Sequence, residues 1–152
     1  MTQDFSWYTN IVFWCGFTAW MVAQCTKMLT HFVRTHEIDF HYLVSTGGVP
    51  SAHSAMASAL ATAVGLEAGF SDPLFAVTLA FAIVVMFDAQ SVRRAAGQQA
   101  KLLNKIVAEL FKEHHLSQQK LAELLGHTPL EVFLGLIMGV LTALILFAKF
   151  GM

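Results

Sequence analysis

Charge is scarce in this chain. Asp, Glu, Lys and Arg together make up 12% of the 152 residues while 56% are hydrophobic, and an ordinary soluble domain carries about twice that share of charge. The balance excludes a soluble domain of usual composition and describes a small integral membrane protein. Cysteine is limited to Cys15 and Cys25. Both fall on one apolar run, too far apart along a helix to be bridged, so no disulfide framework is implied and both are expected to be small buried hydrophobes. No linker rich in Pro, Gly and Ser, no internal repeat and no low-complexity tract appears, which leaves one domain over residues 1–152. Cys and His also lack metal-ligand spacing. His36, His41, His114 and His115 lie in polar connections with no supporting pattern, and no metal or other cofactor is expected.

What the chain does have is length in its apolar runs: Asn10 to Val33, Ala52 to Phe70, Pro73 to Phe87 and Leu130 to Phe150. A bilayer core takes about 20 residues of helix, so the runs predict an all-α integral membrane bundle of four transmembrane helices. The second run is built from Ala, Ser, Thr and Gly and belongs inside the bundle, away from lipid. The first follows Met-Thr-Gln-Asp without a basic leader and is interrupted by Gln24 and Lys27, so it is expected to stay in the mature protein. From Gln98 to Leu125 apolar residues recur at helical spacing between charges, with Ser117 as an N-cap and Gly126 as a stop, predicting an amphipathic helical hairpin at the membrane surface. Leu116 to Gly126 also looks like the first helix of a helix-turn-helix. A recognition helix should follow, yet His-Thr-Pro and a span without a basic face come next, so no nucleic-acid partner is expected.

Lys and Arg are unevenly placed. None lies between the second and third runs, whereas Arg93, Arg94, Lys101, Lys105, Lys112 and Lys120 lie between the third and fourth. The positive-inside rule then puts the first and third connections in the cytoplasm and both termini outside.

Four sequence features bear on chemistry. Gly47-Gly48-Val49-Pro50-Ser51-Ala52-His53 is a glycine turn feeding a helix expected to start at Pro50, an arrangement that aims backbone N–H groups at an anion. Gln24, Lys27, His31 and Arg34 share one helical face by their spacing of three, four and three. That stripe fits snorkelling toward headgroups as well as a pocket, and the depth of Gln24 and Lys27 favours the pocket. Asp88 precedes the pair Arg93 and Arg94 on a continuing helix, and an arginine fork suits phosphate; a positive-inside anchor with Asp88 as its partner is the other reading. His127 and Glu131, four apart at a helix start, make a histidine–carboxylate dyad, and Gly135 and Gly139 continue the same spacing toward close helix packing.

Together these residues resemble the type 2 phosphatidic acid phosphatase superfamily, which includes the vanadium-dependent haloperoxidases, and in particular its divergent bacterial branch of short membrane proteins. Pro50-Ser51-Ala52-His53 resembles the superfamily's Pro-Ser-Gly-His block, His127-x-x-x-Glu131 its His-x-x-x-Asp block, and Lys27-x6-Arg34 its opening Lys-x6-Arg-Pro block. The resemblance implies that His127 is a nucleophile forming a phosphohistidine, that Glu131 orients it, and that His53 protonates the leaving oxygen. It further implies that Lys27, Arg34, Ser51 and the backbone at Gly48 hold phosphoryl oxygens, with Arg93 or Arg94 replacing an arginine whose usual position is Leu121, and with Gln24 and Asp88 in support. Thr35, Ala52 and Glu131 depart from the family's proline, glycine and aspartate. The expected activity is metal-independent hydrolysis of a lipid phosphate or pyrophosphate in the bacterial inner membrane, near its cytoplasmic face, with the headgroup entering between the first connection and the hairpin. The alternative is a non-catalytic membrane protein that binds or moves an anionic lipid. Haloperoxidase chemistry needs vanadate and a soluble pocket, which a bundle this short and apolar does not offer. Small residues on the second and fourth spans would serve packing within one bundle or between protomers of a homo-oligomer.

Overall fold

A computed structural model describes residues 7–36, 48–110 and 127–150. Among these residues, five α-helices follow a short 3-10 turn: α1 (Ile11–Thr35), α2 (Ala52–Ala68), α3 (Pro73–Gln90), α4 (Val92–Leu110) and α5 (Pro129–Phe150). The helix starts follow local chemistry. The Asn10 side chain accepts from Phe13 N–H and Asp72 from Leu74 N–H, with Pro73 at the first helical position, each satisfying an amide that a helix start leaves open.

α2 is the centre of the molecule, touching α1, α3 and α5. Its Ala, Ser and Gly side chains let three neighbours approach at once, and buried residues run around its circumference from Ala52 to Gly65. The second apolar run thus lies inside the bundle, as expected. The seam with α5 is the tightest contact: a Cβ added at Gly135 would overlap the Ser51 carbonyl, and one at Gly139 would overlap the Ala55 carbonyl and Ser58 Oγ. Ser58 Oγ also donates across this seam to the Leu136 carbonyl at 3.1 Å. The small residues at Gly135 and Gly139 therefore serve packing within one bundle.

On the outside, α3 and α5 expose Phe81, Val84, Phe87, Phe133, Leu141 and Ile145, an apolar surface that suits lipid. The run of α3 into α4, Pro73–Ala108, and α5 are each long and apolar enough to cross a membrane. The protein is an all-α membrane helical protein.

Three expectations change. Pro50 does not open α2: Ser51 is the N-cap and Ala52 the first helical residue, because the Ser51 hydroxyl can take the Ser54 amide and proline has no comparable side chain. The amphipathic helix begins at Val92, directly after Ser91, rather than near Gln98. Cys15 is buried but Cys25 is exposed, being on the outward face of α1. The second half of the expected hairpin, with Ser117 and Gly126, lies outside the described residues, as do Gly47 and Leu121.

Candidate active site

The end of α1, the start of α2, the end of α3 and the start of α5 meet at one end of the bundle. Two backbone hydrogen bonds fasten them. Ser51 N–H donates to the Glu131 carbonyl at 3.0 Å, tying α2 to α5, and His127 N–H donates to the Ala89 carbonyl at 3.0 Å, tying α5 to α3.

His127 sits on this fastening, 1% exposed. Its Nδ1 lies 2.7 Å from Glu131 Oε2. A carboxylate is an acceptor only, so Nδ1 carries the proton and the lone pair is left on Nε2. That Nε2 atom is buried without a hydrogen-bond partner. Glu131 is itself held by its helix start: Thr128 Oγ1 accepts from Glu131 N–H at 3.3 Å while Thr128 N–H donates back to Oε2 at 3.4 Å. This reciprocal pair is a capping box, Thr-x-x-Glu, and a glutamate suits it. One oxygen must reach both the cap amide and the imidazole, and the extra methylene provides the reach.

Across from the dyad, the rings of His53 and His127 have centroids 6.5 Å apart. His53 is in the first turn of α2, two residues after the Ser51 cap. Ser51 Oγ accepts from Ser54 N–H and from Ser54 Oγ at 3.4 and 3.0 Å; with both lone pairs engaged, its own O–H is left as a donor.

Lys27 and Gln24, one turn apart on α1, complete the group. They are 2% and 4% exposed, and Lys27 Nζ and Gln24 Oε1 are buried without hydrogen-bond partners. Gly48, at φ +88°, faces the Lys27 stem, with 3.8 Å between the position of a Cβ and the Lys27 carbons. Burying an ammonium without a partner is costly, as is leaving buried amide and imidazole atoms unsatisfied. Three such atoms at one end of a small bundle mark a place built to receive a polar group, and the ammonium makes an anion the fitting one.

The structure thus brings together Gln24, Lys27, Gly48, Ser51, His53, His127 and Glu131. Asp88 is not among them. Its side chain is exposed on the last turn of α3, since the neighbouring Ala89 takes the inward position. Arg34 lies in the last turn of α1 and Arg93 and Arg94 in the first turn of α4, all at this end of the bundle; their side chains lie outside the described ones. Three contributors were missed by reading the sequence: Thr128, Ser54 and the Ala89 carbonyl. Thr128-x-x-Glu131 is a visible capping-box signal, whereas a backbone carbonyl leaves no mark in a sequence.

A family model described as "Divergent PAP2 family" matches residues 8–142. The chain is 41% identical over 149 residues to an uncharacterized membrane protein, YuiD, of Bacillus subtilis (strain 168), covering 91% of this chain and 94% of the relative. No solved structure matches. With the family model spanning most of the chain and the relative aligned over nearly its full length, the protein belongs to the divergent PAP2 family.

Proposed function

We propose that the protein is a membrane-embedded phosphatase that hydrolyses a lipid phosphate or pyrophosphate through a phosphohistidine on His127. One observation carries the reading: His127 has Nδ1 held at 2.7 Å by Glu131 and Nε2 buried and unpartnered, in a cluster with the unpartnered Lys27 ammonium. A fixed tautomer with a free second nitrogen is what a histidine nucleophile needs.

In the first step Nε2 attacks phosphorus, the bond from phosphorus to the leaving oxygen breaks, and protonated His53 gives that oxygen its proton. In the second, water attacks the phosphohistidine, His53 takes the proton from water, and the P–N bond breaks to release phosphate and restore His127. Lys27 and the Ser51 O–H stabilise the equatorial oxygens, the main task of a protein in phosphoryl transfer. Arg34, Arg93 and Arg94 are candidates for the same task. No step requires a resident metal. The Lys and Arg distribution supports a site on the cytoplasmic side of an inner membrane.

The test is phosphate release from lipid phosphates and pyrophosphates by detergent-purified protein in EDTA. Release that persists under chelation and falls by at least about 10³-fold in His127→Ala supports the reading, since loss of a nucleophile costs on that order or more. Folded protein that binds these lipids without releasing phosphate, and binds equally as His127→Gln, supports the non-catalytic lipid-binding alternative.

A further inference from the structure

A groove of about 390 Å³ runs along the outside of the bundle between α1 and α5. Thr26 and Thr30 of α1 form one wall, Val49 and Pro50 form its upper end, and a stripe of α5 from Leu134 to Ile145 forms the other wall. The three threonines in it look polar but are not. Thr26 Oγ1 donates to the Val22 carbonyl, Thr30 Oγ1 to the Lys27 carbonyl and Thr142 Oγ1 to the Met138 carbonyl, at 2.7, 2.8 and 2.8 Å. Each hydroxyl is spent on its own helix, and the groove is dressed in methyl groups and aliphatic side chains.

The upper end of this groove adjoins the candidate active site along the chain. Val49 and Pro50 stand between Gly48, which faces the Lys27 stem, and Ser51, whose N–H holds the Glu131 carbonyl. Thr26 and Thr30 flank Lys27 on α1. An amphiphile with its anionic head beside Lys27 therefore has a dry path for its tail, down α5. The stripe from Leu134 to Ile145 is about 16 Å long at about 1.5 Å of rise per residue. At about 30 Å³ for a group the size of water, the volume takes roughly a dozen methylenes.

We infer that this groove holds a single hydrocarbon chain of the phosphate-bearing substrate, so that the protein selects single-chain lipid phosphates over two-chain ones. Two chains of that length exceed the volume of the groove. The inference rests on the phosphatase reading for what happens to the head, and on the groove alone for the tail.

The test uses the full-length protein in phosphatidylcholine nanodiscs and a single-chain alkyl phosphate with a photoreactive diazirine at mid-chain. Crosslinks mapped by mass spectrometry are expected at residues 134–145 and 26–30, several-fold above the outward face of α3, and are expected to fall when the probe is the matching alkanol without phosphate. Equal labelling by the alkanol, or labelling spread over α3, overturns the inference by making ordinary membrane lipid the occupant. In the same nanodiscs Leu141→Trp, which fills the groove at mid-length, should raise KM for a single-chain phosphate several-fold while leaving kcat near wild type; an unchanged KM overturns the inference. Groove labelling without phosphate release sinks only the hydrolytic reading, and release at equal kcat/KM from one-chain and two-chain phosphates sinks only the groove.

Discussion

Lys27 is a side chain whose position folding alone does not account for. An ammonium 2% exposed, with its Nζ unpartnered, costs the bundle its desolvation with no hydrogen bond in return, and an apolar side chain of similar length is free of that cost. Lys27→Met is therefore expected to raise the thermal midpoint of the purified protein by a few degrees while weakening inhibition by inorganic phosphate, both measurable on one preparation. A lower midpoint would mean that Lys27 is a structural residue. Thr128 yields a different expectation, because its effect on His127 passes through Glu131. Thr128→Ala removes the capping box at a cost of about 1 kcal/mol and should lower kcat about tenfold with little change in KM; Thr128→Ser should restore both. Reading the sequence found Gln24, Lys27, Ser51, His53, His127 and Glu131 because helical spacing and short motifs encode which residues share a face. It included Asp88 because a carboxylate near two arginines suggests a partnership, but a one-residue rotation on α3 separates the exposed Asp88 from the buried Ala89, and spacing alone does not say which of two neighbours faces inward.

At the scale of elements, the four apolar runs correspond to four helices, whose ends coincide with the runs or shift by up to three residues. Cap chemistry was the part least well read: Pro50 was placed inside α2 although Ser51 and Ser54 form its cap, and α4 starts earlier than its amphipathic pattern suggests because it leaves α3 after the single residue Ser91. The α2–α5 seam was legible in Gly135 and Gly139, since small residues four apart on an apolar helix bring backbones together. The groove beside it was not, because its walls belong to separate helices and its dryness depends on three threonine hydroxyls turning back on their own turns. The seam carries a quantitative expectation. Gly139→Ala forces a methyl group against the Ala55 carbonyl and Ser58 Oγ, and overpacking of this kind costs about 1–3 kcal/mol. Thermal unfolding in detergent should show its midpoint several degrees lower, while Leu144→Ala on the exposed face of α5 should leave the midpoint nearly unchanged.

For the whole molecule, the question is which side of the membrane the site faces. Composition alone indicated a membrane protein, and the asymmetric Lys and Arg placement favours a cytoplasmic site. Asp88 is a useful reporter, being exposed at the site end of α3 and absent from the buried cluster. In a Cys15→Ala, Cys25→Ala background, Asp88→Cys should react with a membrane-impermeant maleimide in inside-out vesicles and resist it in right-side-out ones; the reverse pattern would place the chemistry on the outer face. The close approach of α2 and α5 has a mechanical consequence for the same chemistry. Where Gly135 and Gly139 bring α5 against the α2 backbone, the short Ser54 and Ser58 side chains are all that stand at the contact, and so close a seam resists sliding and rotation. His53 rides on one and His127 stands just before the start of the other, so the 6.5 Å between their rings works like the jaw opening of a gauge: the seam below resists changing it, and a motion that would admit a ligand falls more easily to the elements outside that pair.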